Sequence, residues 1–322
     1  MNEFNNSSKI SVIIPTYNYG GYIGEAIKSV LSQSYKNIEI IIIDNYSDDQ
    51  TEETISSFDS KLIKYFKFKN NGIIAASRNY GIDKSSGEFI AFLDADDIWC
   101  PQKLEEQIKH FQENSIVGVG TDAIIISQTP YYRQIDFGRS QKGYKDYDYT
   151  SIFSVSPIKT SSVVVRENVI KKVGGFDENP KFRCIEDFEL WLRMAQFGNF
   201  RILGKKLLYY RMHYDKKRNN IDISMNIFEI LRKHIASGYL KDPESISEAE
   251  STINLSIGYN YLFTNSYEGR HYYLNAFRKS SKSNKKIKAL VGYILSTQPP
   301  IIRNPLNYLL HKIDKIITFI KN

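Results

Sequence analysis

Short apolar runs alternate with amphipathic segments through the first 127 residues, the rhythm of strands and crossover helices in a parallel sheet. Ile10–Pro15 predicts a buried strand that ends in a turn at Pro15-Thr16-Tyr17-Asn18. Tyr22–Gln33 carries Ile23, Ala26, Ile27, Val30 and Leu31 at helical spacing. Ile38–Ile43 is apolar throughout, as for a strand covered on both faces. Asp48 and Asp49 then open a polar helix over Gln50–Phe58, with carboxylates at its positive end. Leu62–Phe68 reads as a strand, Ile73–Lys84 as a helix and Glu88–Leu93 as a strand. A proline-led helix over Pro101–Asn114 and a strand over Ile116–Ser127 follow.

Beyond Ser127 the rhythm changes. Thr129–Thr150 is rich in Tyr, Gly, Lys and Asp without a period, which predicts a long loop. Ser161–Val165 is strand-like, Glu167–Val173 a short helix ended by Gly174-Gly175, and Ile185–Phe197 a strong helix. Arg201–Tyr210 is the last convincing strand, and from Ile221 onward the pattern is helical. The expectation is an α/β chain, with a doubly wound, mostly parallel sheet over residues 1–220 and a helical region over 221–322.

Composition narrows the class. Of 322 residues, 42% are hydrophobic and 25% charged, which is globular rather than disordered or fibrous. Two cysteines, Cys100 and Cys184, argue against a disulfide framework or a four-ligand zinc site. The polar start Met1–Lys9 and the lack of a long apolar run predict a reducing, cytoplasmic setting without a membrane span. The net charge of +7 is uneven: Arg278–Asn322 holds ten Lys/Arg against Asp314 alone. The rest of the chain is slightly acidic, so no nucleic-acid partner is expected.

The sharpest local signal is Leu93-Asp94-Ala95-Asp96-Asp97. On an extended chain Asp94 and Asp96 face the same way, roughly 7 Å apart. At the end of a parallel strand both would point into the crevice where α/β sheets bind ligands, and a divalent cation bridging to phosphate would offset their repulsion. A solvated turn with Asp97 as a helix cap is the alternative. Asp44, at the end of the second predicted strand, is either a contact to a base or ribose or a cap. Arg78 faces a phosphate or is solvated. Glu186-Asp187 begins a helix, where capping acids are common. His213 sits beside Lys216, Lys217 and Arg218, either structural or part of a segment folding over an anion. Neither a dinucleotide fingerprint nor a P-loop is present.

The order of these segments resembles a family 2 glycosyltransferase over residues 9–215. The resemblance rests on Val12-Ile13-Ile14-Pro15-Thr16-Tyr17-Asn18, Asp44 with Ser47 and Asp49, and Ala76-Ser77-Arg78-Asn79-Tyr80-Gly81. Leu93-Asp94-Ala95-Asp96-Asp97, Gly174-Gly175-Phe176-Asp177 and Glu186-Asp187 complete it. It implies a GT-A fold, a nucleotide-diphosphate sugar with Mg²⁺ or Mn²⁺, and inverting transfer to a glycan or lipid-linked acceptor. It further implies that Pro15, Thr16, Tyr17 and Asn18 line the nucleotide pocket, Asp44 contacts the base, and Arg78 lies near the diphosphate. Asp94 and Ala95 would sit by the ribose and donor sugar, with the metal on Asp96 and near His213. Asp187 would be the base, with Glu186 beside it. One departure stands out: the family's usual Asp-Asp-Gly-Ser is Asp44-Asn45-Tyr46-Ser47 here, so UDP is only the default donor nucleotide. The rivals are a non-catalytic sugar-binding module, whose hallmark would be loss of Asp96 or Asp187, and a sugar nucleotidyltransferase, which would want a Gly-rich, Arg-bearing loop after the first strand.

The tail adds one expectation. Leu306, Leu309, Leu310, Ile313, Ile316, Ile317 and Ile320 recur at helical spacing after Asn304-Pro305, with lysines mostly off the stripe. Such a helix can lie on an anionic membrane, or pack against the helices of 221–277 or a second copy of the chain.

Overall fold

The computed structural model describes residues 8–127, 143–155, 157–213, 220–263 and 268–297. They fall into two compact units, residues 1–216 and 217–322.

The first unit opens with β1 (Ile10–Thr16), α1 (Gly20–Leu31), β2 (Ile38–Asp44), α2 (Thr51–Ser56), β3 (Ile63–Lys67), α3 (Ile74–Asp83) and β4 (Phe89–Phe92). It continues with β5 (Ile98–Trp99), α4 (Lys103–Ile108), β6 (Ile116–Ser127), β7 (Tyr144–Tyr147) and α5 (Tyr149–Val155). Last come β8 (Val164–Arg166), α6 (Glu167–Lys172), α7 (Glu186–Met194) and β9 (Asn199–Met212). All nine strands share one sheet in the order β3-β2-β1-β4-β8-β6-β9-β5, with β7 also on β9. Every residue of β1 and β2 is buried, which is why both read as unbroken apolar runs. The predicted face of α1 is the observed one: Ile23, Ala26, Ile27 and Val30 are fully buried against this sheet.

The expected α/β sheet is present, with its antiparallel members at defined places: β3-β2-β1-β4 and β6-β9 run parallel, whereas β8 is antiparallel to both neighbours and β5 and β7 are antiparallel to β9. Two local expectations need correction. The long loop predicted over 129–150 contains β7 and the start of α5, while residues 128–142 lie outside the described residues. Tyr144–Tyr147 has no buried apolar face to betray it; its ladder comes from β9, with Tyr144 opposite Leu203. The helix expected over Pro101–Asn114 is α only through Ile108, then tightens into a 3₁₀ turn, Lys109–Gln112.

The second unit holds α8 (Asn220–Ala236), α9 (Pro243–Phe263), α10 (Gly269–Lys279) and α11 (Ser283–Ser296). Buried Tyr273 of α10 packs tightly on Gly258 of α9, and at Gly292 of α11 a side chain would collide with its ring. Glu248 of α9 accepts from Ser280 Oγ at 2.9 Å and Lys285 Nζ at 3.0 Å, anchoring the α10–α11 connection. The predicted apolar stripe over Leu306–Ile320 lies outside the described residues.

In the first unit, Gly118 of β6 lies under the buried ring of Phe200 of β9, so an added methyl would meet Cε1. Gly118→Ala is expected to lower the unfolding free energy by about 1–3 kcal/mol. Urea titration should show a lower midpoint, partly restored by Phe200→Leu in the same chain; an unshifted midpoint would refute the close approach.

Candidate active site

The C-terminal ends of β1, β2 and β4 meet along one edge of the sheet, where open α/β sheets place their ligands. Pro15 and Thr16 are the last residues of β1, and Thr16 is paired with Asp44. Asp44 is fully buried and its carboxylate is engaged: Oδ1 accepts from Ser47 N at 3.0 Å and Ser47 Oγ at 2.5 Å, and Oδ2 from Tyr65 OH at 2.7 Å. Burial and this carboxylate both push the Tyr65 hydroxyl well above its usual value. Asp44 therefore organises the turn after β2 from beneath, and neither oxygen is open to solvent. Asn18 ties the two strand ends together, donating from Nδ2 to Asp48 Oδ1 at 2.6 Å and accepting from Asp48 N at 3.0 Å.

Arg78 is neither solvated nor open to a phosphate. It is 3% exposed, and its guanidinium joins Asp94 to Glu186, with Nη2 to Asp94 Oδ1 at 2.9 Å and Nη1 to Glu186 Oε1 at 2.7 Å. Burial alone would lower its proton affinity, but Asp94, Glu186 and Asp187 more than reverse that, so it is held as a permanent cation. Asn79, next on α3, accepts from Phe176 N at 2.8 Å and donates to Phe176 O at 2.9 Å. This fastens the Gly174-Gly175 turn, where Gly175 has φ of 71° and a Cβ would come within 2.5 Å of Asn79 Oδ1. Arg193 of α7 holds the same turn from the other side, bonding Glu189 and the carbonyls of Val173 and Gly175.

Asp187, in the first turn of α7, is half-buried and has two hydrogen-bond donors: Thr160 Oγ1 at 2.5 Å and Phe188 N at 2.7 Å. Burial, reinforced by Glu186, pushes its carboxyl up to about 6. The turn Thr160–Ser162 that supplies Thr160 also offers Ser161 Oγ to Asp94 N at 3.0 Å and Ser161 O to Trp99 Nε1 at 2.7 Å. It thus braces both acidic loops. Sequence reasoning missed this turn, leaving Thr160 unassigned and counting Ser161 and Ser162 as part of a strand; three small polar residues give no periodic signal.

Asp96 and His213 come together across 117 positions, sharing a hydrogen bond of 2.8 Å between Oδ2 and Nε2. Burial and Asp94 push Asp96 up, with His213 opposing. Asp97 caps no helix: it is buried, accepts from Arg211 N at 2.8 Å, and is pushed up to about 8 by burial and by its neighbours Asp94 and Asp96. Arg211 also donates to Asp96 O at 2.9 Å, so β9 holds this loop through residues that the sequence did not single out. Ala95, between the two acids, is buried. Among the described residues no set of three His, Cys, Asp or Glu side chains is placed to hold a metal. A carboxylate and an imidazole side by side nevertheless fit an ion that takes few protein ligands and fills its other positions with phosphate and water.

Comparison with known proteins gives the family. Residues 11–174 match the model for glycosyl transferase family 2. An uncharacterized glycosyltransferase of Rickettsia conorii is 36% identical over 258 residues, 78% of this chain but only 40% of that protein. The Escherichia coli enzyme WfaP, described as a UDP-Glc:alpha-D-GlcNAc-diphosphoundecaprenol beta-1,3-glucosyltransferase, is 32% identical over 63% of this chain and 77% of its own. The chain belongs to glycosyl transferase family 2. Its fold is of GT-A type, similar to that of Staphylococcus aureus TarS 1–349 in complex with UDP-GlcNAc, with TM-score 0.61 and 17% identity over 89% of this chain and 90% of that one. The family match takes in Asp44, Arg78, Asp94, Asp96 and Thr160, while Glu186, Asp187 and His213 lie beyond its end.

The Arg78 bridge makes a stability prediction for this family member. Arg78→Met leaves Asp94 and buried Glu186 without their cation, and loss of one partner from a buried ion pair costs about 3–5 kcal/mol. Chemical denaturation should report a drop of that size; an unchanged midpoint would mean that the pair is not buried in solution.

Proposed function

We propose that this chain is a metal-dependent inverting glycosyltransferase that moves a sugar from a nucleotide-diphosphate sugar to a hydroxyl of a glycan or lipid-linked acceptor. The observation that carries this reading is the division of the acidic residues by Arg78. Asp94 and Asp96 lie on one side, at the sheet edge. Asp187 lies on the other, next to the Glu186 that Arg78 neutralises and with only uncharged donors of its own.

Inversion by single displacement needs such a division. As the acceptor oxygen bonds to the sugar's anomeric carbon, its proton passes to Asp187 and the bond to the diphosphate breaks, the electron pair leaving with the phosphate oxygen. A carboxylate raised to about 6 is a stronger base than an ordinary one and is still mostly ionised at neutral pH. Asp96 and His213 would hold Mg²⁺ or Mn²⁺, which when bound supplies positive charge for the leaving diphosphate. Arg78 keeps the base and the donor side apart and adds a fixed positive charge between them.

A UDP-sugar is the donor we assign, supported by the printed substrate of WfaP and the ligand bound to TarS. The diphosphoundecaprenol-linked acceptor in the name of WfaP supports a role in bacterial cell-surface polysaccharide synthesis, as a peripheral protein on the cytoplasmic face of the membrane. The described residues contain no helix long and apolar enough to cross a membrane. On α11, Ile287, Leu290 and Ile294 are exposed, within a stretch from Arg278 to Thr297 that has six basic residues and no acid. Anionic lipid is the surface such a helix suits.

Asp187→Asn should leave nucleotide-sugar binding nearly intact and reduce turnover by at least about a thousandfold, because shape is kept and the proton acceptor is lost. Full turnover in the purified variant would exclude Asp187 as the base. In the wild type, turnover should fall as pH drops below about 6, where the raised carboxyl becomes protonated, and hold on the alkaline side; a rate that stays flat down to pH of about 4, the ordinary carboxylate range, would contradict this assignment. Asp96→Ala should abolish the Mn²⁺ dependence of UDP binding in calorimetry. Equal affinities with and without Mn²⁺ in the wild type would remove the metal from the reaction.

A further inference from the structure

Two consecutive hydroxyls of the Thr160–Ser162 turn serve the two acidic loops. Thr160 Oγ1 donates to Asp187 Oδ2 at 2.5 Å, and Ser161 Oγ accepts from Asp94 N at 3.0 Å. What fixes the turn lies in β5 and α4. Trp99 of β5 donates from Nε1 to Ser161 O at 2.7 Å. Gln107 of α4 donates from Nε2 to Ser162 O at 2.8 Å and to Val119 O, while its Oε1 accepts from Lys103 Nζ at 2.7 Å. Lys103 Nζ in turn lies 3.9 Å from the centre of the Trp99 ring. Thr160, Ser161, Ser162, Trp99, Lys103 and Gln107 are all buried. Shifting the turn would therefore strand several buried polar groups at once, each costly to leave unpaired.

Thr160 is the one side chain among the described residues that donates a hydrogen bond to Asp187; the other donor is the backbone of Phe188. Of the charged groups, Glu186 on the same helix repels Asp187 and Arg78 from α3 attracts it. α5 packs Phe153 against Phe188 and has no charged residue; its Tyr149 hydroxyl is pushed well up by burial and by Glu189, so it stays neutral. A hydroxyl bonds an ionised carboxylate more strongly than a protonated one, so it favours the charged form. A base must be in that form to act.

We infer that Thr160 is a positioning residue for the transfer reaction: held by the Trp99 and Gln107 contacts to its turn, its hydroxyl fixes one oxygen of the Asp187 carboxylate and keeps that group ionised. This deepens the glycosyltransferase reading above and rests on its assignment of Asp187 as the base. The acceptor's proton passes to Asp187, and Thr160 keeps its own. Because Ser161 holds the Asp94 backbone from the same turn, the base and the donor-side loop share one point of reference.

The test follows the side-chain carboxyl carbons of aspartate by NMR as pH is varied, in the full chain labelled at those carbons and without added ligand. The Asp187 signal is the one missing from Asp187→Asn. In the wild type it should titrate near pH of about 6. Thr160→Val keeps the shape and removes the donor, so it should raise that midpoint by about one pH unit, the scale of one hydrogen bond to a charged group. Thr160→Ala carries the same expectation and does not depend on valine fitting the site. Thr160→Ser, which restores the donor, should stay within about 0.3 pH unit of wild type. A midpoint left unchanged by both Thr160→Val and Thr160→Ala would overturn the role of Thr160, and so would an equal rise in Thr160→Ser. Full turnover by Asp187→Asn would instead remove the base assignment and with it the part of Thr160 in transfer, while the titration would still report the hydrogen bond.

Discussion

The buried guanidinium of Arg78 is the interaction on which the site depends. Asp94, Asp96, Asp97, Glu186 and Asp187 converge on the same edge of the sheet from two distant stretches of chain. Like charges brought together in a partly dry crevice either take up protons or find a cation. Arg78 reaches Asp94 with one nitrogen and Glu186 with the other, 16 and 108 positions away along the chain. It can do so because α3 comes close to β1: Ala75, Ala76 and Ser77 are small and buried, and Gly81 lies against Ile13 with no room for a side chain. Helix and sheet approach closely, and the Arg78 side chain is directed to Asp94 and Glu186.

The same helix sets the position of Asp187. Asn79 binds both backbone polar groups of Phe176, and Gly175 can be pressed against it only because it lacks a Cβ. The turn so fixed leads into α7, whose Arg193 reaches back to the carbonyls of Val173 and Gly175. Position and charge of the first turn of α7 are thus determined by two consecutive residues, Arg78 and Asn79. Thr160 then completes the setting with one short hydrogen bond to Asp187.

Much of this architecture was legible in the sequence where the signal is local. Ile10–Thr16 and Ile38–Asp44 announce themselves because both faces are covered, and α1 shows its buried stripe directly. Family motifs brought forward Asp94, Asp96, Asp187 and His213, and the structure does join Asp96 to His213. Illegible features are those whose partner is remote. β7 is polar at three exposed positions and exists as a strand only because β9 offers a ladder. Nothing beside Arg78 in the chain reveals that it would be buried between two acids. Asp44 looked free because Ser47 is nearby in sequence while Tyr65, which closes its second oxygen, arrives from another strand.

Glu186 and Asp187 are neighbours with one chemistry, and only their partners separate their roles. Glu186 is buried and bound to a guanidinium that cannot release its proton, so its charge is committed to holding α7 against α3. Asp187 receives a hydroxyl and a backbone amide, both neutral, and feels the adjacent Glu186 as repulsion. Burial beside a like charge raises a carboxylate's affinity for protons. Under the proposed reaction, the residue without a cation of its own is the one able to accept the acceptor's proton. Burial is the main reason that acceptance is favourable, with repulsion from Glu186 added and Arg78 working against both. The order Glu-Asp along the chain says nothing about this division; the reach of Arg78 decides it.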